Sequence, residues 1–281
     1  MKIGKYKVVP IESGRISLDG GAMFGIIPKP LWQKTNPSDE LNRILLSTRC
    51  LLLKSENKNV LIDTGIGKGW DEKFEKIYGV DHSEFTLMNS LKEAGVESAN
   101  ITDVIITHLH FDHTGGSVEF IDGKIVPAFP NAVYHVQKSH FEWACNPSTK
   151  DKASFIENRF IPLAKEGILN LLDNQTEFDD EINFIILNGH SYSQQLVKVS
   201  DSSTTLLYCA DLMPTSSHIP IPYVMGYDLQ PVKTIEEKLK LLPQAVDEEW
   251  ILFFEHDPYM TAGRVGISEK GFYLKERIDT F

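Results

Sequence analysis

The chain has 281 residues, of which 42% are hydrophobic, and its formal net charge at pH 7 is −11. The acidic charge and the absence of a basic run argue against nucleic acid and an acidic membrane surface as partners. No stretch is long enough to span a membrane, the N-terminus lacks the apolar core of a signal peptide, and the three cysteines lie far apart. We therefore expect a cytoplasmic protein with one substantial core.

The N-terminal part predicts a strand at residues 3–11, followed by a loop or lid extension at residues 12–43. The extension belongs to a single domain that covers residues 1–281. Its apolar segment 22–32 contains two prolines, which argue against a regular helix or a central strand. Such a segment packs on the edge of the core, covers a site as a lid, or forms a contact in a homodimer.

A hairpin-like pair of strands is predicted at residues 44–54 and 60–63, followed by a helix at 83–94 and a short buried strand at 103–107. Asp63 stands at the end of the second strand. A carboxylate in this position is costly to bury unless it is paired. Asp63 is therefore either a turn former or a partner of a metal-bound histidine.

A dense group of metal-binding residue types follows the strand at 103–107. Three of the nine histidines, His108, His110 and His113, fall within six residues, and Asp112 lies among them. Four ligands so close together are too many for one tetrahedral ion. Because ligands on one helix face would be four residues apart, we place these residues on a loop, with His108 and His110 directed to one ion and Asp112 and His113 to a second. The alternative is a polar surface loop with incidental histidines.

The second half of the chain repeats the arrangement of apolar strands that end at metal-capable residues. Three predicted strands run into His190, Asp211 and His256. The predicted elements of this half are strands at 132–137, 182–187, 195–200, 204–210 and 250–254, helices near 138–145, 151–166 and 234–246, and a polar helix or tail at the end. Strands alternating with helices in two comparable halves predict two sheets face to face with helices outside.

These residues predict a site for two divalent metal ions. The candidates have only nitrogen and oxygen donors, which suit zinc, although manganese, iron or cobalt would accept them too. Asp211 is the natural bridge, since a carboxylate has one oxygen for each ion. The expected chemistry is hydrolysis by a metal-bridging hydroxide, with Asp112 as a proton shuttle to the leaving group. The predicted metal ligands are His108, His110, Asp112, His113, His190, Asp211 and His256.

The ligand pattern resembles the metallo-β-lactamase superfamily of hydrolases over residues 45–257. The resemblance rests on the His-x-His-x-Asp-His motif at 108–113, on the Asp-Thr-Gly at 63–65, and on His190, Asp211 and His256. The segments 21–32 and 254–258 are similar to the branch that holds N-acyl-homoserine-lactone lactonases and methyl-parathion-hydrolase-like enzymes.

The resemblance implies an α/β (α+β) fold, an αββα sandwich of two mixed sheets flanked by helices, with a dinuclear and usually zinc-containing site. In that family the residues that match His108, His110 and His190 bind one ion. Those that match Asp112, His113 and His256 bind the other, and the one that matches Asp211 bridges. The chain departs from the usual family pattern at three positions, which are Gln194, Ala210 and Pro214.

The expected function is hydrolysis of a small ester, lactone or phosphotriester. The alternatives are a phosphodiesterase or nuclease of the same superfamily, a di-iron redox protein and a metal sensor without catalysis. The expected partner is a small-molecule substrate, and a homodimer is left open. Candidate residues of the substrate pocket are Phe24, Trp32, Met213 and Tyr223.

Overall fold

Two large mixed β-sheets and a small hairpin form the framework of the protein, seen in a computed structural model that describes residues 1–281. The strands are β1 Lys2–Ile3, β2 Tyr6–Asp19, β3 Arg43–Lys54, β4 Asn59–Ile62, β5 Asp103–Ile105, β6 Val118–Ile121, β7 Lys124–Pro127, β8 Val133–Gln137, β9 Leu169–Leu172, β10 Ile182–Leu187, β11 Gln194–Ser200, β12 Thr205–Tyr208, β13 Ile251–Phe253, β14 Ala262–Ser268 and β15 Gly271–Ile278.

Helices connect these strands and flank the sheets. They are α1 Gly20–Phe24, α2 Lys29–Trp32, α3 Glu72–Tyr78, α4 Leu87–Glu93, α5 Phe111–Thr114, α6 Lys138–Cys145, α7 Ile161–Lys165 and α8 Pro231–Asp247, together with several single 3₁₀ turns. The expected class, mixed sheets flanked by helices, is confirmed. None of the helices has the length and apolar character needed to cross a membrane.

The chain divides into two compact units, one made of residues 1–16 and 48–175 with Phe281, the other of residues 17–47 and 176–280. The seven-stranded sheet has the order β1-β2-β3-β4-β5-β8-β9, and its strands from β4 to β9 are parallel. The six-stranded sheet has the order β10-β11-β12-β13-β14-β15, in which only β12 and β13 pair in parallel.

The core of the first unit packs helices onto the parallel strands. Leu87 and Leu91, one helical turn apart on α4, are both buried in the same apolar cluster as Val104 and Tyr134. The helix begins where the Thr86 hydroxyl accepts the backbone N–H of Asn89 at 3.3 Å, and this N-cap fixes its first turn. The buried strands are thereby covered on one face, and the polar residues that follow β5 are held in a rigid frame.

Several elements differ from the sequence-based expectation. The proposed extension at 12–43 has regular structure, because β2 continues to Asp19 and two short helices, α1 and α2, follow it. Proline in the first turn of a helix removes no intrahelical hydrogen bond, so Pro30 is compatible with α2. The predicted C-terminal helix or tail is wrong, since that part forms the antiparallel strands β14 and β15.

The long helix α8 runs through Pro243 without a break. Leu242 and Ala245 on either side of the proline are fully buried, so packing of this face holds the last turns.

His218 docks the α1–α2 segment inside the second unit. Its ring stacks on Phe24 at 4.7 Å, and Phe24 in turn stacks on Trp32 at 5.4 Å. His218 Nε2 donates to the Met23 carbonyl at 2.9 Å, so Nδ1 accepts the Thr215 hydroxyl at 2.8 Å. Both ring nitrogens of the neutral imidazole are satisfied. Burial lowers the pKa of His218 to about 4.

The low pKa of His218 predicts that acid reduces the stability of the folded protein. Because the folded pKa lies below the ordinary value of 6.5, only the unfolded chain takes up the proton of His218 between pH 6.5 and about 4. The free energy of unfolding therefore falls as the pH falls through this window, by roughly 2 kcal/mol at pH 5 from this residue. Urea unfolding should show that the free energy of unfolding falls less between pH 7.5 and pH 5 for His218→Gln than for the wild type. An equal loss in both proteins would assign the effect to other groups.

Candidate metal centre

The first group of predicted ligands lies where the chain leaves β5. His108 and His110 are in the connection after the strand, whereas Asp112 and His113 lie in the short helix α5. The expectation of a loop was therefore wrong for this second pair. All four side chains are at least nine-tenths buried. Because a strand end and a helix meet here, the two pairs can face different directions.

His108 and His110 turn ring nitrogens toward each other. His108 Nε2 lies 3.1 Å from His110 Nδ1. Two nitrogens bound to one tetrahedral zinc ion at about 2.0–2.1 Å would lie roughly 3.3 Å apart. The observed pair thus has the separation of two ligands of one ion. The nearest ligand atoms of Asp112 and His113 also lie within 4.8 Å of each other.

Asp63 is buried next to this group and fixes its geometry. Its Oδ1 accepts the backbone N–H of Thr107 at 2.7 Å, and its Oδ2 accepts the Thr107 hydroxyl at 2.7 Å. The same Oδ2 lies 3.1 Å from His113 Nδ1. A carboxylate on Nδ1 holds the proton there and leaves Nε2 with its lone pair free for a metal. Asp63 also has a positive φ of 54°, a strained conformation for a residue with a side chain.

Two residues that the sequence reasoning did not select hold this segment in place. The buried ring of His140 accepts the backbone N–H of Leu109 at Nε2, at 2.8 Å. Arg159, also buried, donates to the carbonyl oxygens of Lys68 at 2.8 Å and Gly115 at 3.1 Å. The ring of His140 thus holds backbone between His108 and His110. Neither residue stands near the motif in the sequence, so no local signal points to it.

A partly exposed aromatic cluster packs around Phe111, the first residue of the ligand helix α5. Trp70 stacks on Phe74 at 4.1 Å, and Phe111 contacts Phe74 edge-on at 5.2 Å and Tyr78 at 4.7 Å. The pKa of the Tyr78 phenol is raised by burial and by the Asp112 carboxylate, so Tyr78 stays protonated. This cluster offers an apolar surface with one hydroxyl donor close to Asp112.

The second unit brings the remaining three predicted ligands together. Asp211 Oδ2 lies 3.1 Å from His190 Nε2, and its Oδ1 lies 3.2 Å from His256 Nε2. Each carboxylate oxygen therefore faces a different imidazole. All three side chains are more than nine-tenths buried. This is the arrangement that a carboxylate between two ions requires, since each oxygen shares one ion with one histidine.

The two histidines of this unit are oriented through their opposite nitrogens. His190 Nδ1 lies 3.0 Å from Asp228 Oδ1, and His256 Nδ1 lies 2.7 Å from the Ser47 carbonyl. Both partners accept, so both rings carry their proton on Nδ1 and present Nε2 to Asp211. Neutral Nε2 is the form of histidine that binds divalent metals. The donor set and its tautomers therefore fit a metal centre.

Backbone contacts fix the turn that carries His190. Glu237 on α8 accepts the N–H groups of Asn188 at 2.8 Å and Gly189 at 3.1 Å. A Cβ atom on Gly189 would lie 2.6 Å from the backbone nitrogen of Thr234, which explains the glycine. Asp228 and Glu237 were missed by the sequence reasoning because neither belongs to a motif.

The chain departs from the usual family pattern at Gln194, Ala210 and Pro214, and each of these residues has a defined place in the structure. Ala210 stands before Asp211 with a positive φ of 40°, the region that glycine adopts at the lowest cost. Gln194 is buried in β11, and the Pro214 carbonyl accepts the N–H of His256 at 2.9 Å. The changes leave Asp211 and His256 in contact.

Three of the four pocket candidates, Phe24, Trp32 and Met213, are buried in the interior of the second unit. Tyr223 is half-buried and contacts Phe24 edge-on at 6.1 Å. Lys238 on α8 donates to its carbonyl at 3.0 Å and holds its loop. A role for these four residues in substrate binding stays a prediction.

A family model described as the metallo-beta-lactamase superfamily matches residues 43–256. The chain belongs to the metallo-beta-lactamase superfamily. This match covers all seven predicted ligands, from His108 to His256. The expected family and enzyme class, a metal-dependent hydrolase, are confirmed.

Curated relatives of this superfamily member include an N-acyl homoserine lactonase from Bacillus thuringiensis, 24% identical over 89% of this chain and 93% of the relative. Another is the cytochrome P450 monooxygenase mpaDE from Penicillium roqueforti, 24% identical over 73% of this chain. The chain spans only 27% of that longer protein.

Among solved structures, a probable metal-dependent hydrolase from Staphylococcus aureus has a TM-score of 0.87 and 28% identity, covering 99% of this chain and 100% of that chain. AidC, described as a dizinc quorum-quenching lactonase in complex with a product, N-hexnoyl-L-homoserine, has a TM-score of 0.81 and 24% identity, covering 100% of this chain and 97% of that chain. The latter likeness supports the fold alone.

The contact between Asp228 and His190 predicts a metal-affinity effect. In Asp228→Asn the amide can donate its N–H₂ to His190 Nδ1. The imidazole proton would then move to Nε2, which faces Asp211 and is the nitrogen needed for a metal. We expect metal affinity to fall about 10–100-fold, the usual effect of losing such a partner. Competition with a chromogenic chelator measures this. The control is Asp180→Asn, an exposed carboxylate of the same unit. Equal affinity in both variants would contradict the orienting role of Asp228.

Proposed function

We propose that the protein is a dinuclear metal hydrolase whose seven predicted ligands act together on two divalent ions. His108, His110 and His190 would hold one ion, Asp112, His113 and His256 the other, and Asp211 would bridge them. The observation that carries the proposal is the carboxylate of Asp211, whose two oxygens face His190 and His256 separately at 3.1 and 3.2 Å. Because this arrangement needs residues of both halves, residues 1–281 would work as one functional domain.

Zinc is the metal that the donor set favours. The ligands are imidazoles and carboxylates without a thiolate, and zinc binds such sets at four-coordinate sites. AidC, which has the same fold, is described as a dizinc lactonase, and we propose two zinc ions for this chain as well. A pair of ions held this way lowers the pKa of a water molecule and polarises a carbonyl or phosphoryl oxygen.

The residues of the chain would supply the remaining steps. Asp112 is buried, and its carboxylate can move a proton to the leaving group of the substrate. Tyr78, protonated and close to Asp112, can donate a hydrogen bond to a substrate oxygen. The rings of Trp70, Phe74 and Phe111 would pack on an apolar part of the substrate and exclude water from it.

The substrate class that these features support best is a small lactone or ester with an apolar substituent. The Bacillus thuringiensis relative is named as an N-acyl homoserine lactonase, and such a molecule combines a lactone with an acyl chain. A phosphotriester would use the same chemistry and is the alternative outcome of the assay. The acidic net charge of −11 disfavours nucleic acid as a substrate.

The test is metal analysis combined with a hydrolysis panel on the zinc-reconstituted protein. We expect about two metal equivalents per chain and acid release from N-hexanoyl homoserine lactone, with loss of activity on chelation. The panel also contains an aryl ester, a phosphotriester and a β-lactam. Turnover of the phosphotriester alone would replace the lactone assignment, and full activity after complete metal removal would exclude the metal mechanism.

Substitution of Asp211 tests the bridge directly. Asp211→Ala should lower metal content and should reduce turnover by more than the roughly 10–100-fold caused by loss of an outer partner. Circular dichroism checks that the variant is folded, and Asp180→Ala serves as the matched surface control. Two retained metal equivalents with unchanged turnover in Asp211→Ala would disprove the assignment.

A further inference from the structure

A loop of the second unit folds around the side chain of a buried lysine, Lys238 on α8. The Nζ atom of Lys238 lies within hydrogen-bond distance of four backbone carbonyl oxygens, at 2.6, 2.8, 3.3 and 3.0 Å. These carbonyls, which we call the carbonyl cage, belong to His218, Pro220, Ile221 and Tyr223. The distances are those of N–H···O hydrogen bonds, so the cage has the size of an ammonium group.

The loop that forms the carbonyl cage offers few donors of its own. Residues 219–230 belong to no strand, and Pro220 and Pro222 have no N–H group. Carbonyl groups that face the interior need a donor, because an unsatisfied buried carbonyl is costly. A protonated lysine brings three N–H groups to one point. The cage is therefore built for a group with several N–H donors.

The charges around the carbonyl cage favour one monovalent cation. The His218 ring is neutral, because burial lowers its pKa to about 4. Burial lowers the pKa of Lys238 to about 7, and the Asp228 carboxylate acts in the opposite direction, so Lys238 is mostly protonated at pH 6. A divalent ion would find only neutral oxygens here, whereas such ions are usually held by carboxylates.

The carbonyl cage also shapes the surface on which α1 rests. The rings of His218 and Tyr223 contact the Phe24 ring, with centroids 4.7 and 6.1 Å apart. The N–H of Gly226 donates to the Ala22 carbonyl at 2.8 Å. Because these contacts come from the loop that folds around Lys238, the position of α1 depends on the order of this loop.

We propose that the carbonyl cage is a binding site for a primary ammonium ion, and that Lys238 is its built-in occupant. Lys238 is then a positioning residue, which orders the loop and, through the loop, α1. When this side chain is shortened, a free primary ammonium ion binds in its place and restores the loop. None of the cage residues is a predicted metal ligand, and the proposal does not depend on the proposed hydrolysis.

The test is chemical rescue of Lys238→Ala, measured by amide hydrogen exchange of the full chain in sodium phosphate at pH 6. The substitution removes the part of the side chain that corresponds to n-propylammonium. We expect the exchange protection of Tyr223 and Gly226 to fall at least about ten-fold in the variant. Addition of n-propylammonium chloride should restore it with saturation. Methylammonium should bind more weakly by about three- to four-fold for each missing methylene.

Three controls separate a cation site from simple filling of space. The alcohol 1-propanol has the same shape without the charge, and tetramethylammonium has the charge without an N–H group, so neither should restore protection. Lys240→Ala, at an exposed lysine of the same helix, should keep wild-type protection and should not respond to n-propylammonium. Wild-type protection in Lys238→Ala would overturn the proposal. A loss that n-propylammonium fails to restore, or that 1-propanol restores equally well, would also overturn it.

A measurement on the wild type decides if Lys238→Ala does not fold. The nitrogen-15 shift of Lys238 Nζ at pH 6 should be that of an ammonium group, since four carbonyl oxygens face it. A shift typical of a neutral amine at this pH would show that the cage holds no cation and would overturn the proposal.

Discussion

The orientation of buried imidazoles by hydrogen bonds at their Nδ1 atoms is the constraint on which the candidate centre depends. His113, His190 and His256 each have an acceptor at that atom, supplied by Asp63, Asp228 and the Ser47 carbonyl. Each acceptor keeps the proton on Nδ1 and directs the Nε2 lone pair away from itself. Without these acceptors the same rings could turn or change tautomer, and the ligand set would lose its geometry.

Burial of carboxylates explains why such a set implies a cation. Asp63, Asp211 and Asp228 are all nearly inaccessible to water, and their partners include neutral histidines. Burying an ionised carboxylate without a compensating positive charge is costly. A divalent ion held by Asp211 and the neighbouring histidines would offset this cost. The protein thus keeps in its fold a set of acidic groups that a metal stabilises and that a purely structural core would not need.

Around the candidate metal centre, some segments are held by buried contacts and others are partly exposed. Arg159 lies between the rings of Trp70 at 3.7 Å and Phe120 at 4.6 Å, and it thereby joins the aromatic cluster beside Asp112 to β6. Strained backbone is found at Asp63 and Ala210, next to the ligand groups, where surrounding hydrogen bonds hold it. The aromatic cluster of Trp70, Phe74, Tyr78 and Phe111, by contrast, is partly exposed to water.

The family, the candidate ligands and most strands could be predicted from the sequence, because these depend on local pattern. The spacing of His108, His110, Asp112 and His113 is a property of the chain itself, and apolar runs such as 182–187 predicted a strand with the observed bounds. Only the tertiary structure decided which distant groups complete the site. Asp228 and Ser47 reach His190 and His256 across 38 and 209 residues, and no local pattern encodes such a contact. The tertiary structure also overrode local signals where packing outweighed them, as in α8 across Pro243 and in the strands of the C-terminal hairpin.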